Sequence, residues 1–210
     1  MSKKIKSKKT KVSLLNYQNF YLVGIKGVAM TSITQCLLDA GKNVRGSDVQ
    51  EDFVTAEILK KRKIIIDNFT TDFLEEPNKT KPDCLIYTAA HQGADHSQVK
   101  KAVQANIPIF SQAEALAELF NQKEGVAVCG VGGKSTISAM LVWVLKELQI
   151  PISFSVGVGK IIGLEATGEW NKQSAYFIAE ADEYAINANA LEKGEKVIPR
   201  FSFLQPTVVV

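Results

Sequence analysis

The stretch AVCGVGGKSTISAML, residues 127–141, constrains the fold of this chain more than any other feature. A short apolar run precedes the glycines, and a Lys-Ser-Thr and a helix-like pattern follow them. A strand, a glycine-rich turn and a helix in this order let backbone N–H groups approach phosphate oxygens at the positive end of the helix. The strict pattern G-x(4)-G-K-[ST] would have glycine where this chain has Val128, so only its second half is matched. The alternative is a glycine-rich turn with an incidental lysine.

Short apolar runs alternate with helical patterns along the chain. NFYLVGI (19–25) is typical of a buried strand, and VAMTSITQCLLDAG (28–41) is typical of a helix that ends at a glycine. Ser111 and Glu114 have the spacing of a capping box at the start of a helix over 111–123. This alternation predicts an α/β fold with parallel sheets covered by helices.

The predicted organisation is two domains after a basic tail. The first 11 residues contain six lysines and no acid, so the net charge of +3 becomes −3 without them. We predict a disordered tail over 1–16, a Rossmann-like domain over 17–122 and a partial P-loop domain over 123–210. The end of the chain, QPTVVV (205–210), resembles the start of a buried strand, so we expect the chain to be a fragment of a longer protein.

Composition excludes several classes of protein. Hydrophobic residues make up 46% and charged residues 22% of the chain, as in soluble globular proteins. No apolar run approaches 18 residues and no secretory signal is visible, so we expect a cytoplasmic protein without a membrane partner. The basic tail lacks interleaved aromatic residues, so no nucleic-acid partner is expected. Cys36, Cys84 and Cys129 are far apart in apolar settings and are predicted to be reduced core residues.

An acidic run, EADEY (180–184), ends another predicted strand. Carboxylates at the carboxyl edge of an α/β sheet lie where ligands bind, and one of them could complete a Mg²⁺ site opposite Ser135. The alternative is a solvated acidic helix start.

A second glycine turn, VGIKGVAM (23–30), follows the first predicted strand. Lys26 and Ala29 stand where a dinucleotide fingerprint would have glycines, which disfavours an NAD-binding oxidoreductase. Asp48 ends the next strand, where an acid usually meets a ribose, and Lys26 could meet a diphosphate electrostatically. A turn that serves only packing is the alternative.

Taken together, these motifs resemble the Mur ligases of peptidoglycan synthesis. YLVGIKGVAM is similar to the first-strand loop of the family, GVAVCGVGGKSTISAM to its ATP loop and FIAEADEY to its EADE motif. FLQPTVVV is similar to the strand that precedes the family's TNIExDH segment. The order and spacing fit over about 20–210, and VRGSD favours the branch that joins L-alanine to UDP-N-acetylmuramate.

The resemblance implies a ligase of cell wall biogenesis, and hence of cell shape and division. ATP would phosphorylate the carboxylate of UDP-N-acetylmuramate, and the amine of L-alanine would attack the acyl phosphate to form the amide. The implied cofactors are ATP and Mg²⁺. The family's acceptor domain would follow residue 210, so we expect this chain to be inactive by itself.

The resemblance also assigns site residues by position. The catalytic residues would be Lys134, which stabilises the transferring phosphoryl group, and Glu180. The ATP-binding residues would be Gly130, Val131, Gly132, Gly133, Lys134, Ser135 and Thr136. The Mg²⁺ ligands would be Ser135, Thr136 and Glu180. The UDP-sugar site would be lined by Gly24, Ile25, Lys26, Gly27, Met30, Ser47, Asp48, Thr88, Ala89 and Ala90.

The chain departs from the family pattern at several positions. Val131 and Gly132 replace the usual Thr-His, and Tyr184 and Ala185 replace the usual Ser-Asp of the alanine branch. EADEY followed by a basic insert over 186–203 also resembles the branch that ligates a murein tripeptide to UDP-N-acetylmuramate. That ligase and a non-catalytic nucleotide-binding relic are the alternatives.

Overall fold

The computed structural model describes residues 13–75, 79–186, 194 and 196–210. The α-helices are α1 (Val28–Asp39), α2 (Ala56–Lys61), α3 (Ser97–Gln104), α4 (Gln112–Phe120) and α5 (Lys134–Glu147). The strands are β1 (Asn19–Val23), β2 (Asn43–Asp48), β3 (Ile66–Asn68), β4 (Cys84–Tyr87), β5 (Ile109–Ser111), β6 (Glu124–Val128), β7 (Ile152–Ser155), β8 (Gly168–Glu169), β9 (Tyr176–Glu180) and β10 (Val208–Val209). None of the helices formed by the described residues has the length and apolar character needed to cross a membrane.

The first sheet is parallel and has the strand order β3-β2-β1-β4-β5. Val23 is in register with Ser47 on one side and with Tyr87 on the other, so the loops after three neighbouring strands meet at one edge. Chain order reverses between β1 and β4, which is the position where open α/β sheets bind ligands. The α/β prediction is confirmed for this sheet.

The second sheet has the order β10-β6-β9-β7-β8 and is parallel except for β8, which runs antiparallel to β7. Val128 is in register with Glu180, so the glycine loop and the acidic run leave the sheet side by side. The sequence did not predict β8, because two residues are too few to show an alternating pattern.

Helix α1 packs against both sheets. Its Ser32 hydroxyl lies 2.7 Å from the Ser155 hydroxyl, and Gln35 Nε2 donates to Thr167 Oγ1 at 3.0 Å. A Cβ at Gly168 would overlap the Ser32 carbonyl oxygen, so this close approach requires glycine. The first turn of α1 is thereby held beside the carboxyl end of β7.

The structure corrects two predictions. Leu14 is fully buried in a 3-10 turn over Leu14–Asn16, so this part of the predicted tail is folded against the protein. Residues 1–12 lie outside the described residues. Cys129 is exposed instead of buried, because it is the first residue after β6 and already belongs to the glycine loop.

The division at residues 122 and 123 into two domains stays a prediction. Of the insert predicted over 186–203, residues 187–193 and 195 lie outside the described residues. Its last part forms a 3-10 turn, Arg200–Phe203, and Arg200 Nη1 pairs with Asp182 Oδ2 at 2.8 Å.

Candidate functional site: two glycine turns at neighbouring sheet edges

The glycine loop at 129–133 connects β6 to α5 in the predicted order. Gly130 has a φ of 140° and Gly133 a φ of 77°, both in the region that favours glycine. Gly133 is the N-cap of α5, and no described heavy atom beyond Gly133 and its two chain neighbours lies within 4 Å of the position that a Cβ would take there. Backbone conformation, and not crowding, therefore requires glycine at this position.

The backbone N–H groups of this loop are available to a ligand. Within the described part of the chain, none of the seven N–H groups of residues 130–136 donates to an acceptor, and the first helical bond runs from Ile137 N to Gly133 O at 2.9 Å. Val131, Gly132 and Thr136 are exposed. Successive free N–H groups at the positive end of a helix form an anion-binding concavity, so the loop suits the phosphates of a nucleotide.

Lys134 lies at the start of α5 with its amine against the loop. Its Nζ donates to Gly130 O at 2.9 Å and pairs with Glu183 Oε2 at 2.8 Å, while the side chain is 14% exposed. The hydrogen bond from Lys134 lowers the pKa of Glu183, and the same bond raises the pKa of Lys134. The Lys134 amine is thus charged and lies against the same loop whose backbone N–H groups are free.

Glu180 joins the glycine loop to the neighbouring strand. Its Oε2 accepts from Ser135 Oγ at 2.9 Å, and its Oε1 accepts from Gly157 N at 2.9 Å. Two of the predicted Mg²⁺ ligands, Ser135 and Glu180, are thus in contact, whereas the hydroxyl of Thr136, the third, makes no hydrogen bond with the described residues. Gly157 adds a backbone donor, from the loop after β7, that the sequence had not suggested.

The oxygen donors at this edge fit Mg²⁺ only in combination with a nucleotide. A hydroxyl and a carboxylate from Ser135 and Glu180 are ligands that Mg²⁺ accepts, and Mg²⁺ usually completes its shell with waters and substrate phosphates. The described residues contain no group of three or more histidine, cysteine, aspartate or glutamate side chains that could hold a metal by themselves. A protein-only metal cage is thus not part of this site.

The first glycine turn, between β1 and α1, is closed by contacts within the protein. Gly24 has a φ of 81°, and a Cβ there would overlap Thr88 Cγ2. Gly24 N and Ile25 N both donate to Ser47 O, at 2.8 and 3.2 Å. Lys26 N donates to Asp48 Oδ2 at 2.7 Å.

The remaining contacts of this turn also stay inside the protein. Gly27 N donates to Gly24 O at 3.2 Å, so all four N–H groups of residues 24–27 are engaged. The Lys26 amine donates to Val49 O at 2.7 Å and to Glu51 O at 2.9 Å. Two of the three N–H donors of the Lys26 amine are thus used within the protein, and one remains for a ligand.

The other residues predicted for the UDP-sugar site differ in accessibility. Met30 and Ser47 are buried, and the Ser47 hydroxyl donates into the core to Gln98 Oε1 at 2.5 Å. Asp48 is 3% exposed. Thr88 and Ala89 are half-buried and Ala90 is exposed, so the loop after β4 presents the accessible part of this edge.

Three residues at these edges were absent from the predicted site. Glu183 contacts Lys134, and Gly157 contacts Glu180. His91 directly follows the predicted residues Thr88, Ala89 and Ala90. Glu183 was visible in the EADEY run, but the sequence does not say which carboxylate meets the lysine. Gly157 and His91 carry no motif signal, since only the sheet register brings them to these edges.

The two edges are connected through hydrogen-bonded contacts. Ser32 on the first turns of α1 contacts Ser155 at the end of β7, and Gly157 in the following loop holds Glu180. In the same loop, a Cβ at Gly159 would overlap the side chain of Val54, which lies between β2 and α2. The two glycine turns therefore flank one continuous region of packed structure.

Comparison with known proteins defines the class of protein. Residues 19–124 match the family described as Mur ligase family, catalytic domain. The chain belongs to the Mur ligase family. The glycine loop at 129–133 lies just beyond the matched residues.

Named relatives extend the similarity past that match. The chain is 33% identical over 167 residues to a UDP-N-acetylmuramate–L-alanine ligase of Desulfitobacterium hafniense, covering 79% of this chain and 35% of the relative. It is 28% identical over 192 residues to the ligase of the same name from Limosilactobacillus reuteri, covering 91% of this chain and 41% of the relative. The chain thus spans about two fifths or less of the length of these relatives.

Solved structures share the fold. A UDP-N-acetylmuramate:L-alanyl-γ-D-glutamyl-meso-diaminopimelate ligase from Neisseria meningitides superposes with a TM-score of 0.74 at 22% identity, over 91% of this chain and 59% of that one. A UDP-N-acetylmuramate-alanine ligase from Thermotoga maritima superposes with a TM-score of 0.71 at 24% identity, over 92% of this chain and 40% of that one.

Proposed function

We propose that this chain carries the ATP and UDP-sugar sites of a ligase that joins L-alanine to UDP-N-acetylmuramate in peptidoglycan synthesis. The observation that supports it most strongly is the edge of the second sheet, where seven free N–H groups, the Lys134 amine and the paired Ser135 and Glu180 converge. The names of the relatives favour L-alanine as the acceptor.

In this proposal the loop at 130–136 holds the ATP phosphates. The free N–H groups bind the phosphate oxygens, and the Lys134 amine exchanges Glu183 for the γ-phosphoryl group. Ser135 and Glu180 would hold Mg²⁺, which when bound supplies positive charge against the phosphates. Lys134 would be one of the two catalytic residues, with Glu180, because its positive charge stabilises the transferring phosphoryl group.

The first sheet would hold UDP-N-acetylmuramate at the edge formed by the loops after β1, β2 and β4. The free carboxylate of the sugar must reach the γ-phosphoryl group, and the contacts from Ser32 to Ser155 and from Gly157 to Glu180 connect the two edges. Because these edges are linked by packed structure, the two substrates can be held in one orientation, which is the main protein contribution to phosphoryl transfer.

The reaction balances as two displacements. A carboxylate oxygen of UDP-N-acetylmuramate bonds to the γ-phosphorus while the bond to the β,γ-bridging oxygen breaks, giving an acyl phosphate and ADP. The amine of L-alanine then bonds to the acyl carbon, phosphate leaves, and the amine loses a proton to give the amide. Lys134 would stabilise the charge of the transferring group in the first displacement.

We propose that the acceptor is bound by further sequence of the longer ligase, since the relatives are more than twice as long as this chain. ATP and UDP-sugars are cytoplasmic metabolites, and we propose that the protein acts in the cytoplasm. The 210-residue chain is expected to bind both nucleotides without forming the amide.

Isothermal titration of the purified chain with UDP-N-acetylmuramate, with Mg·ATP and with NAD tests this function. We expect the first two to bind and NAD not to bind. Binding of NAD in place of the UDP-sugar would overturn the assignment of the first sheet, and no binding of Mg·ATP would overturn that of the second. In the longer ligase, activity with L-alanyl-γ-D-glutamyl-meso-diaminopimelate but not with L-alanine would replace the proposed acceptor.

A further inference from the structure

The Lys26 amine, which the sequence pattern suggested for a diphosphate, uses most of its donors within the protein. The Lys26 amine is held by the carbonyls of Val49 and Glu51, and its own N–H is held by Asp48. A diphosphate bound here needs donors in addition to the one that remains on Lys26, because each buried or half-buried phosphate oxygen without a partner is costly.

His91 presents an unused donor at this edge. Its Nε2 lies 3.9 Å from Asp48 Oδ1, which is too long for a hydrogen bond, and His91 makes no hydrogen bond within the described part of the chain. The side chain is 35% exposed. Its Cδ2 lies 3.8 Å from the position that a Cβ of Gly24 would take, so the ring is adjacent to the glycine turn.

The position of the His91 ring is set by its backbone and its neighbours. The φ of His91 is 52° and that of the next residue, Gln92, is 70°, so two non-glycine residues in succession are left-handed. The ring packs against Phe69 with centroids 5.0 Å apart, and His96 packs against the same phenyl ring at 4.7 Å. These contacts limit the rotation of the imidazole, whose side chain remains partly exposed.

We infer that His91 donates a hydrogen bond from Nε2 to a diphosphate oxygen of the UDP-sugar and is a binding residue of the first site. The inference rests on the proposed function and deepens it, since it exchanges the predicted Lys26 for a residue outside the recognised motifs. Asp48 lies within Coulombic reach of the imidazole, and His96 packs against the same Phe69 ring.

Titration of the chain with UDP-N-acetylmuramate, UDP and uridine tests the inference. His91→Phe keeps a ring against Phe69 but removes the donor, and we expect it to weaken both diphosphates about tenfold and to leave uridine unchanged. His91→Asn tolerates the left-handed backbone and keeps an N–H donor, so it should recover part of the affinity.

A matched pair of glycine variants distinguishes the loss of the imidazole from a folding defect. His91→Gly and Gln92→Gly both suit a left-handed backbone, and we expect only His91→Gly to weaken UDP binding. If folded His91→Phe and His91→Gly bind UDP as tightly as the parent chain, the inference is wrong and the UDP-sugar site stands. An equal loss for uridine also overturns it, because the effect would not be at the diphosphate. If the parent chain binds neither UDP nor UDP-N-acetylmuramate, the proposed UDP-sugar site is wrong, and so is the inference about His91.

Discussion

The two glycine turns of this molecule occupy equivalent positions but use their backbones in opposite ways. Each connects the carboxyl end of an interior strand to a helix, and each contains a glycine with positive φ, Gly24 and Gly133. In the first turn all four N–H groups of residues 24–27 donate to the protein itself. In the second, the N–H groups of residues 130–136 have no acceptor within the described part of the chain.

The difference follows from what the neighbouring strand offers. Ser47 and Asp48, at the end of β2, approach the first turn with a carbonyl and a carboxylate that accept backbone N–H groups. Glu180, at the end of β9, accepts instead from the Ser135 side chain and from Gly157 N, and leaves the loop backbone free. A glycine pattern therefore predicts a turn, whereas the neighbouring strand decides whether that turn is open to a ligand.

The largest effect that would test this contrast is on stability. Gly24→Ala should lower the free energy of unfolding by about 3 kcal/mol, because a left-handed alanine is strained and its Cβ overlaps Thr88 Cγ2. Gly133→Ala has the strain without the overlap and should cost about 1 kcal/mol. Urea denaturation of both variants measures the difference, and Thr88→Ser should recover part of the loss in Gly24→Ala. Equal losses at the two glycines would contradict the view that the first turn is closed.

Substitution of the lysine in each turn should change ligand affinity in the second turn but not in the first. Lys134→Met is expected to weaken Mg·ATP roughly 10- to 100-fold, since its amine faces the open loop. Lys26→Met should change UDP affinity by less than about twofold but should lower the melting temperature, because its amine holds Val49 and Glu51 carbonyls. Titration and thermal denaturation of both variants check this. A loss of UDP affinity in Lys26→Met as large as the loss of ATP affinity in Lys134→Met would show that both turns bind through their lysines.

Thiol labelling should report on the open loop alone. Cys129 is exposed beside Gly130, whereas Cys36 and Cys84 are buried and burial raises the pKa of both thiols. Iodoacetamide should therefore modify one thiol in the native chain. Mg·ATP at ten times its Kd should slow that reaction about tenfold, because the free fraction falls by that factor. UDP should give no protection, and protection by UDP instead of ATP would reverse the assignment of the two turns.

The smallest expected effect concerns the pair of Lys134 with Glu183. Because the lysine lowers the pKa of Glu183 below its ordinary value of 4.5, the pair stabilises the protein above that pH and loses its contribution as the pH falls further. The raised pKa of Lys134 places a second loss above its ordinary value of 10.5. Glu183→Gln should therefore lose less stability than the parent chain on the acid side. The difference should be small, since Glu183 is 50% exposed and screened by solvent.

Melting temperatures between about pH 7 and pH 3 measure this effect, with Glu165→Gln as an exposed control. Parallel curves for the parent chain and Glu183→Gln would show that the ion pair contributes nothing to stability.

Local patterns were predicted well because their physics is local. The capping box of Ser111 and Glu114 is present as predicted, with Ser111 N donating to Glu114 Oε2 at 2.8 Å, since both residues lie within one helical turn. The parallel sheets also follow from the alternation of apolar runs and helices, because parallel strands need crossover helices. The burial of Ser32 and Gln35 was not predictable, since their partners Ser155 and Thr167 are more than 120 residues away along the chain.

The sequence by itself determined that this chain has two α/β sheets, a glycine loop with Lys134 and Ser135 at the start of a helix, and an acidic run beside it. It did so because glycine conformations, helix caps and apolar periodicity act over a few residues. Only the tertiary structure decided that the first turn is closed, that Glu183 and not another carboxylate meets Lys134, and that His91 lies beside Gly24. These contacts depend on the register and order of strands that are distant along the chain, and that register is set by packing across the whole sheet.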